Sequence, residues 1–305
     1  MVEKIWGDDT RAFGALVTST EPEGYYEDAY GKSGYRLKTA LHGIIKDHTE
    51  ISYNGLWDAY KKTDARADGT VWDMYSDCEF TFGSNQCGTY KNECDCYNRE
   101  HSFPKSWFND GKPMYSDLFH LYPTDGYVNN RRGNNPFGEV KKPTYTSNNG
   151  GKLGPNATSG YAGTVFEPVD EYKGDFARSY FYMATCYEDK IADWSACPIC
   201  SGNDTTSFVQ WTVDLLLKWH RQDPVSEKEV ARHDSVFKLQ HNRNPFIDYP
   251  ELVEKIWGND NTPFKKFEPA PVPEPEPEPA LIEDFEKFTK GDDAGSTKFD
   301  IAQCT

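Results

Sequence analysis

The chain has 305 residues and a net charge of −16; 37% of its residues are apolar and 15% aromatic. That is enough apolar material for one large domain or two modest ones, which excludes a largely disordered chain. No apolar run approaches the ~18 residues that span a bilayer, which excludes an integral membrane helix.

An acidic protein is at first sight a poor partner for a polyanion, but the charge is unevenly spread. From residue 266 onward ten acids face four bases, whereas residues 99–142 hold seven bases (Arg99, Lys105, Lys112, Arg131, Arg132, Lys141 and Lys142) against five acids. A locally basic strip can still hold nucleic acid, the more so if a divalent cation assists.

The opening, MVEKIWGDD, has neither the basic nor the apolar region of a secretory leader. Either a leader has been removed or the chain starts inside a longer one. The octapeptide VEKIWGDD at residues 2–9 returns as VEKIWGND at 253–260, too short for a repeat architecture. Leu37, Leu41, Ile44 and Ile45 share one helical face and predict a helix over about 35–47. Residues 70–75 have strand character after an Asp68-Gly69 turn.

Eight cysteines follow: Cys78, Cys87, Cys94, Cys96, Cys186, Cys197, Cys200 and Cys304. Cys197 and Cys200 form a CxxC, but no second pair stands at finger-like spacing, so local disulfides in an exported protein are expected rather than zinc. Their pairing is not readable from sequence. Phe208, Trp211, Leu215 and Trp219 predict a helix that stops before Asp223-Pro224. Ser226 and Glu229 have capping-box spacing for a helix running to about Gln240. A last helix is expected near 249–257, ended by Gly258. EPAPVPEPEPEP at 268–279 reads as an extended spacer. The expected organisation is therefore an N-terminal extension (1–24), a main domain (25–265), a linker (266–280) and the start of a further module (281–305). The main domain should be α+β with long loops.

The chemistry-bearing stretch is YNREHSFPKSW (residues 97–107) followed by DLFHLYPTDGYVNNRRGNNPFGEV (117–140). Phosphodiester hydrolysis needs a base for water, a cation for charge on the phosphate and help for the leaving oxygen. Imidazole suits the first task. Carboxylate and carboxamide oxygens suit Mg²⁺, which keeps most of its water.

Together with KGDFARSYFYMAT (173–185), LLKWHRQDPVSEKE (216–229) and QHNRNPFIDYPE (240–251), these segments closely resemble the bacterial endonuclease I family. More narrowly, they resemble its secreted Bacteroidetes-type members. The resemblance covers about residues 25–258. It implies a ββα-metal (His-Me finger) core elaborated by helices, and a secreted, periplasmic or cell-surface enzyme. Such an enzyme cuts DNA and also RNA with little sequence preference and leaves 5′-phosphates. It further implies His101 as general base, with Glu100 and Asn129 as ligands of one Mg²⁺, Mn²⁺ or Ca²⁺ ion. The expected frame is a hairpin carrying Glu100 and His101, a loop through 117–125, and a helix from about Gly126.

Adjacent strand residues face opposite sides, so Glu100 and His101 can share a site only at a bend or strand end. Arg131, Arg132 and Arg178 are the candidates for clamping the scissile phosphate. Arg99, Lys105, Arg131 and Arg132 are candidates for wider substrate binding. Many relatives carry His-His where this chain has Phe119-His120, so His120 is expected to support the loop. Asp117 and Asp125 are expected as loop and cap residues. A monomer is expected, with nucleic acid as partner and no membrane insertion. The rival readings are a catalytically silent nucleic-acid-binding or matrix protein, and a phosphodiesterase for a non-nucleic substrate.

Overall fold

Every residue of the helix Lys173–Cys186 is buried, and much of the rest of the fold is arranged around it. The computed structural model describes residues 21–266, all within a compact unit that runs to Lys266. The elements in order are α1 (Gly34–Ile45), α2 (Leu56–Thr63), β1 (Tyr97–His101), β2 (Leu121–Asp125), α3 (Gly126–Arg132), β3 (Tyr145–Thr146), β4 (Lys152–Pro155) and β5 (Thr164–Glu167). Then come α4 (Lys173–Cys186), α5 (Glu188–Ile191), α6 (Gln210–Gln222), α7 (Glu227–Gln240), α8 (Pro245–Asp248) and α9 (Leu252–Ile256). β1 and β2 form one antiparallel ribbon, and β3-β4-β5 a second antiparallel sheet. The α+β class expected from sequence is what the chain adopts.

Polar groups on a helix buried all round need partners inside, and those of α4 have them. Phe176 and Tyr180 pack on Phe137, at 4.7 and 5.3 Å between ring centres. Tyr180 donates to Ser102 O at 2.7 Å, and Tyr182 to Asp117 Oδ2 at 2.8 Å. α1, α6 and α8 close around it. Four arginines are buried in this interior, each against a carboxylate: Arg132–Glu100, Arg178–Glu229, Arg232–Asp64 and Arg243–Asp248.

Local sequence signals hold well. α7 carries the full capping box, with Glu229 N donating to Ser226 Oγ at 3.2 Å and Ser226 N to Glu229 Oε2 at 3.3 Å. α6 ends at Gln222, before Asp223-Pro224. The last helix is shorter than expected: Pro245 starts α8, and α9 begins only at Leu252, after Pro250.

Two expectations fail. Residues 70–75 form no strand, only the isolated bridges Ala65↔Val71 and Thr70↔Thr81. Asp73 Oδ1 takes the Tyr75 amide at 2.8 Å and turns the chain away. The expected loop over 117–125 is a loop only in its first half, because residues 121–125 are β2. Pro123 within β2 is tolerated because a two-stranded ribbon leaves alternate N–H groups unpaired on each outer edge.

The cysteines pair locally, as Cys78–Cys94, Cys87–Cys96 and Cys197–Cys200, and Cys186 is a buried thiol. No helix among the described residues is long and apolar enough to cross a membrane. The octapeptide at 2–9, the Pro/Glu spacer, the C-terminal segment and Cys304 lie outside the described residues.

Candidate active site

β1 pairs with β2 in the register Tyr97↔Asp125 to His101↔Leu121, so His101 is the last residue of its strand. The connection folds through two 3-10 turns, Lys105–Phe108 and Met114–Ser116, whose Phe108 and Tyr115 rings flank that strand end. α3 follows β2 without a gap. Asp125 caps it, taking the amides of Tyr127 and Val128 at 2.8 and 2.9 Å, and its second oxygen takes Cys94 N at 2.7 Å. Gly126 is needed at the start of α3, since a Cβ there would lie 2.8 Å from the Tyr90 ring.

The pleat divides the candidate residues between two faces of β1. On one face lie Asn98 and Glu100, and α3 packs there. Asn129 Nδ2 donates to Asn98 Oδ1 at 2.7 Å, and Arg132 Nη1 pairs with Glu100 Oε1. On the other face lie Arg99 and His101, both against Tyr53. The Arg99 guanidinium is 3.6 Å above the Tyr53 ring centre, and the His101 ring stacks at 6.0 Å with 21° between planes. The strand-end condition for Glu100 and His101 is thus met in sequence position, while their side chains leave β1 on opposite sides. Arg132 bridges the two residues, since Nη1 also reaches the His101 carbonyl at 3.1 Å.

His101 is 7% exposed. Its Nε2 faces the Tyr115 carbonyl at 3.0 Å. A carbonyl can only accept, so Nε2 carries the proton and Nδ1 keeps a bare lone pair. Burial, followed by the neighbouring His120, depresses the imidazole pKa to about 3, so the ring is neutral at neutral pH. His120 is held by the preceding carbonyl of the same turn, Met114 O, at 2.7 Å. It supports the loop, as expected.

Glu100 is buried, and Oε1 takes both Arg132 Nη1 and the Tyr75 hydroxyl, the latter at 2.8 Å. Burial raises its carboxyl pKa above the ordinary range, against the pull of Arg132. Oε2 accepts no hydrogen bond from any described residue. Asn129 is half-buried, and with Nδ2 spent on Asn98 its Oδ1 remains open.

The arginines fall differently from expectation. Arg132 is fully buried, tied to Glu100, His101 O, Ser102 O and Tyr180. It shapes the hairpin and has no face for a phosphate. Arg178 is equally buried, with Nε on Glu229 Oε1 at 2.7 Å and Nη1 on Asp223 O at 2.8 Å. The structure does not bring it to the hairpin. Arg131 is exposed, but two positions beyond Asn129 on a helix it points to the opposite side of α3. Arg99 shares the His101 face, with Nη1 donating to Tyr53 O at 2.7 Å and no carboxylate partner among the described residues. Lys105 pairs with Asp110 and lies 5.3 Å over the Tyr115 ring.

Among the described residues, two other groups hold ligand-type atoms close together, His48/Asp117/Cys186 and Cys78/Cys94/Asp125. The second is a disulfide beside a helix cap. In the first, the Tyr187 hydroxyl already joins Asp117 Oδ2 at 2.6 Å to His48 Nε2 at 2.9 Å.

Sequence reasoning missed Tyr53, Tyr75, Asn98 and the Tyr115 carbonyl. Asn98 could have been found by period-two spacing from Glu100. The other three reach the site from loops whose course no local pattern announces.

The chain matches the Endonuclease I family over residues 33–251. It is 40% identical over 253 residues to an extracellular ribonuclease of Bacillus amyloliquefaciens, covering 80% of this chain and 81% of that protein. An extracellular ribonuclease of Bacillus subtilis (strain 168) is 38% identical over 240 residues, 76% and 78% of the two chains. Endonuclease-1 of Buchnera aphidicola subsp. Baizongia pistaciae (strain Bp) is 24% identical over 233 residues, 67% and 85%.

Proposed function

The chain belongs to the endonuclease I family and is a nuclease, and we propose that it is an exported, metal-dependent endonuclease that hydrolyses DNA and RNA with little regard to sequence. Export accords with the extracellular relatives and with three disulfides among the described residues. The observation that carries the catalytic reading is the buried neutral imidazole of His101. A carbonyl fixes its tautomer so that Nδ1 can take a proton.

The donor atoms on the opposite side of β1 fit a hard divalent cation of the Mg²⁺, Mn²⁺ or Ca²⁺ class. Glu100 Oε2 and Asn129 Oδ1 are oxygens without hydrogen-bond donors among the described residues, both on the α3 side of β1. Glu100 is already charge-paired with Arg132, so the protein leaves much of such an ion's charge for a substrate phosphate. Glu100 and Asn129 would hold such an ion, which would supply electrostatic stabilisation of charge on the phosphate and the departing 3′-oxygen.

The remaining chemistry belongs to the chain's own groups. His101 Nδ1 accepts a proton from the attacking water. Tyr53 and the Tyr115 carbonyl keep the ring in that orientation. Arg99, held over the Tyr53 and Trp57 rings, offers its guanidinium N–H groups to a non-bridging phosphate oxygen. The scissile phosphate then lies across the end of β1, between the faces of Glu100 and His101. In-line attack from the His101 side leaves a 5′-phosphate on the product. Sequence is not read, because phosphate contacts carry no base information.

The test is incubation with supercoiled plasmid and with a long random duplex, with and without chelator. Chelator-sensitive conversion to a continuous smear is expected. Cleavage unaffected by chelator would sink the metal, and a few discrete fragments would sink the low specificity.

A further inference from the structure

On the side of α3 turned away from β1, Tyr127 and Arg131 lie about one helical turn apart. Tyr145 of β3 closes against both. The two phenol rings meet edge to face at 6.2 Å between centres. The Arg131 guanidinium lies 4.9 Å from the ring centre of Tyr145 and 5.6 Å from that of Tyr127. The Tyr145 hydroxyl donates to Glu93 Oε1, so the platform is fixed before any ligand arrives. The other Glu93 oxygen takes Asn148 N at 2.8 Å.

Arg131 is exposed, and its side chain forms no hydrogen bond or ion pair with any described residue. The four buried arginines, by contrast, are each matched to a carboxylate. Lys141 and Lys142, exposed on the chain leading into β3, also meet no carboxylate among the described residues. An exposed guanidinium backed by two phenols therefore stands beside the hairpin with no ion pair of its own among the described residues.

A guanidinium laid on a ring keeps its outer face and its N–H edge for a ligand. The edge matches phosphate oxygens. The face, like the neighbouring phenol, stacks a nucleobase. In a duplex the base faces are closed by their neighbours, so only an unpaired strand can use both. We propose that Arg131, Tyr127 and Tyr145 form a subsite for an unpaired nucleic-acid strand, binding one nucleotide by its phosphate and its base. This deepens the nuclease reading and rests on it. Because Arg131 and Asn129 lie on opposite sides of α3, the subsite takes a nucleotide flanking the cut rather than the scissile phosphate. It favours single strands and loops over regular duplex.

The test is equilibrium binding by fluorescence anisotropy, with chelator present and the full chain carrying His101→Ala so that nothing is cut. The probes are single-stranded DNA and RNA of about 12 nucleotides and a hairpin duplex of matching length. Adding Arg131→Ala or Tyr127→Ala should weaken both single strands about tenfold and the duplex less than about threefold. Arg131→Lys, which keeps the charge but not the plane, should recover less than half of that loss. Equal weakening on duplex and single strand would overturn the subsite, as would wild-type binding by Arg131→Lys or no change at all. A loss confined to RNA would mean a 2′-hydroxyl contact and would overturn the stacking account. The nuclease reading fails separately: the wild-type chain would not cut plasmid, while the difference between single strand and duplex would persist.

Discussion

His101 Nε2 donates to the carbonyl oxygen of Tyr115 at 3.0 Å, and that contact decides which ring nitrogen is left for chemistry. Tyr53, stacked on His101 and under Arg99, holds together the proposed base and the proposed phosphate-binding cation. Tyr53→Ala should therefore lower kcat and raise KM together, reducing kcat/KM on the order of 10- to 100-fold. Tyr53→Phe, which keeps the ring, should stay within about threefold. Steady-state kinetics on a defined oligonucleotide decide it; equal rates for wild type and Tyr53→Ala would remove Tyr53 from the site.

Arg132 and Arg131 are neighbours with opposite expected phenotypes. Arg132→Ala strands Glu100 and two carbonyls in the interior, and breaking such a buried pair costs about 3–5 kcal/mol. Arg131→Ala, at the surface, should change stability by less than about 0.5 kcal/mol. Urea unfolding of the two variants separates them. A fully stable Arg132→Ala protein would contradict the structural role.

His220 supplies a stability prediction with a definite sign. Burial, then the Arg178 charge, depresses its pKa to about 3. Below pH ~6.5 the unfolded chain takes up a proton that the folded chain refuses, so stability falls as pH drops from there toward 3. The slope from this residue approaches about 1.4 kcal/mol per pH unit. Because His101 and His120 are depressed in the same sense, the test is the difference: between neutral pH and about pH 5 the wild-type slope should exceed that of His220→Gln by up to about 1.4 kcal/mol per pH unit. Identical slopes would mean that His220 is protonated in the fold.

The Cys78–Cys94 bridge fixes the residue whose amide donates to Asp125, the N-cap of α3, and through it the start of that helix. Replacing both cysteines by serine should cost about 2–4 kcal/mol and leave α3 less protected in hydrogen exchange. Mass spectrometry of non-reduced protein should find Cys78–Cys94 and Cys87–Cys96 peptides. Free thiols at these positions, or stoichiometric zinc, would contradict the pairing.

What was legible in the sequence was local. The Ser226–Glu229 capping box, the stop before Pro224 and the Asp125 cap all depend on residues a few positions apart, and all are present. β2 was hidden because Pro123 speaks against a strand and only its pairing with β1 reveals that an edge tolerates it. Residues 70–75 misled because Asp73 recaptures the backbone, which outweighs strand propensity. The arginines were the hardest to read. Charge and spacing made Arg131, Arg132 and Arg178 equivalent candidates, whereas burial and partner decide their roles. Those partners, Glu100 for Arg132 and Glu229 for Arg178, lie 32 and 51 residues away.

The central claim is that His101 moves a proton while Glu100 and Asn129 hold the ion. It is tested most directly by His101→Ala, measured for single-turnover cleavage beside a calorimetric Mg²⁺ or Mn²⁺ titration. The rate should fall about 10²- to 10⁴-fold with metal affinity unchanged, whereas Glu100→Ala and Asn129→Ala should weaken the metal and regain activity when it is added in excess. If His101→Ala abolished metal binding, His101 would be a ligand and not the base; if it cut at the wild-type rate, the site would lie elsewhere.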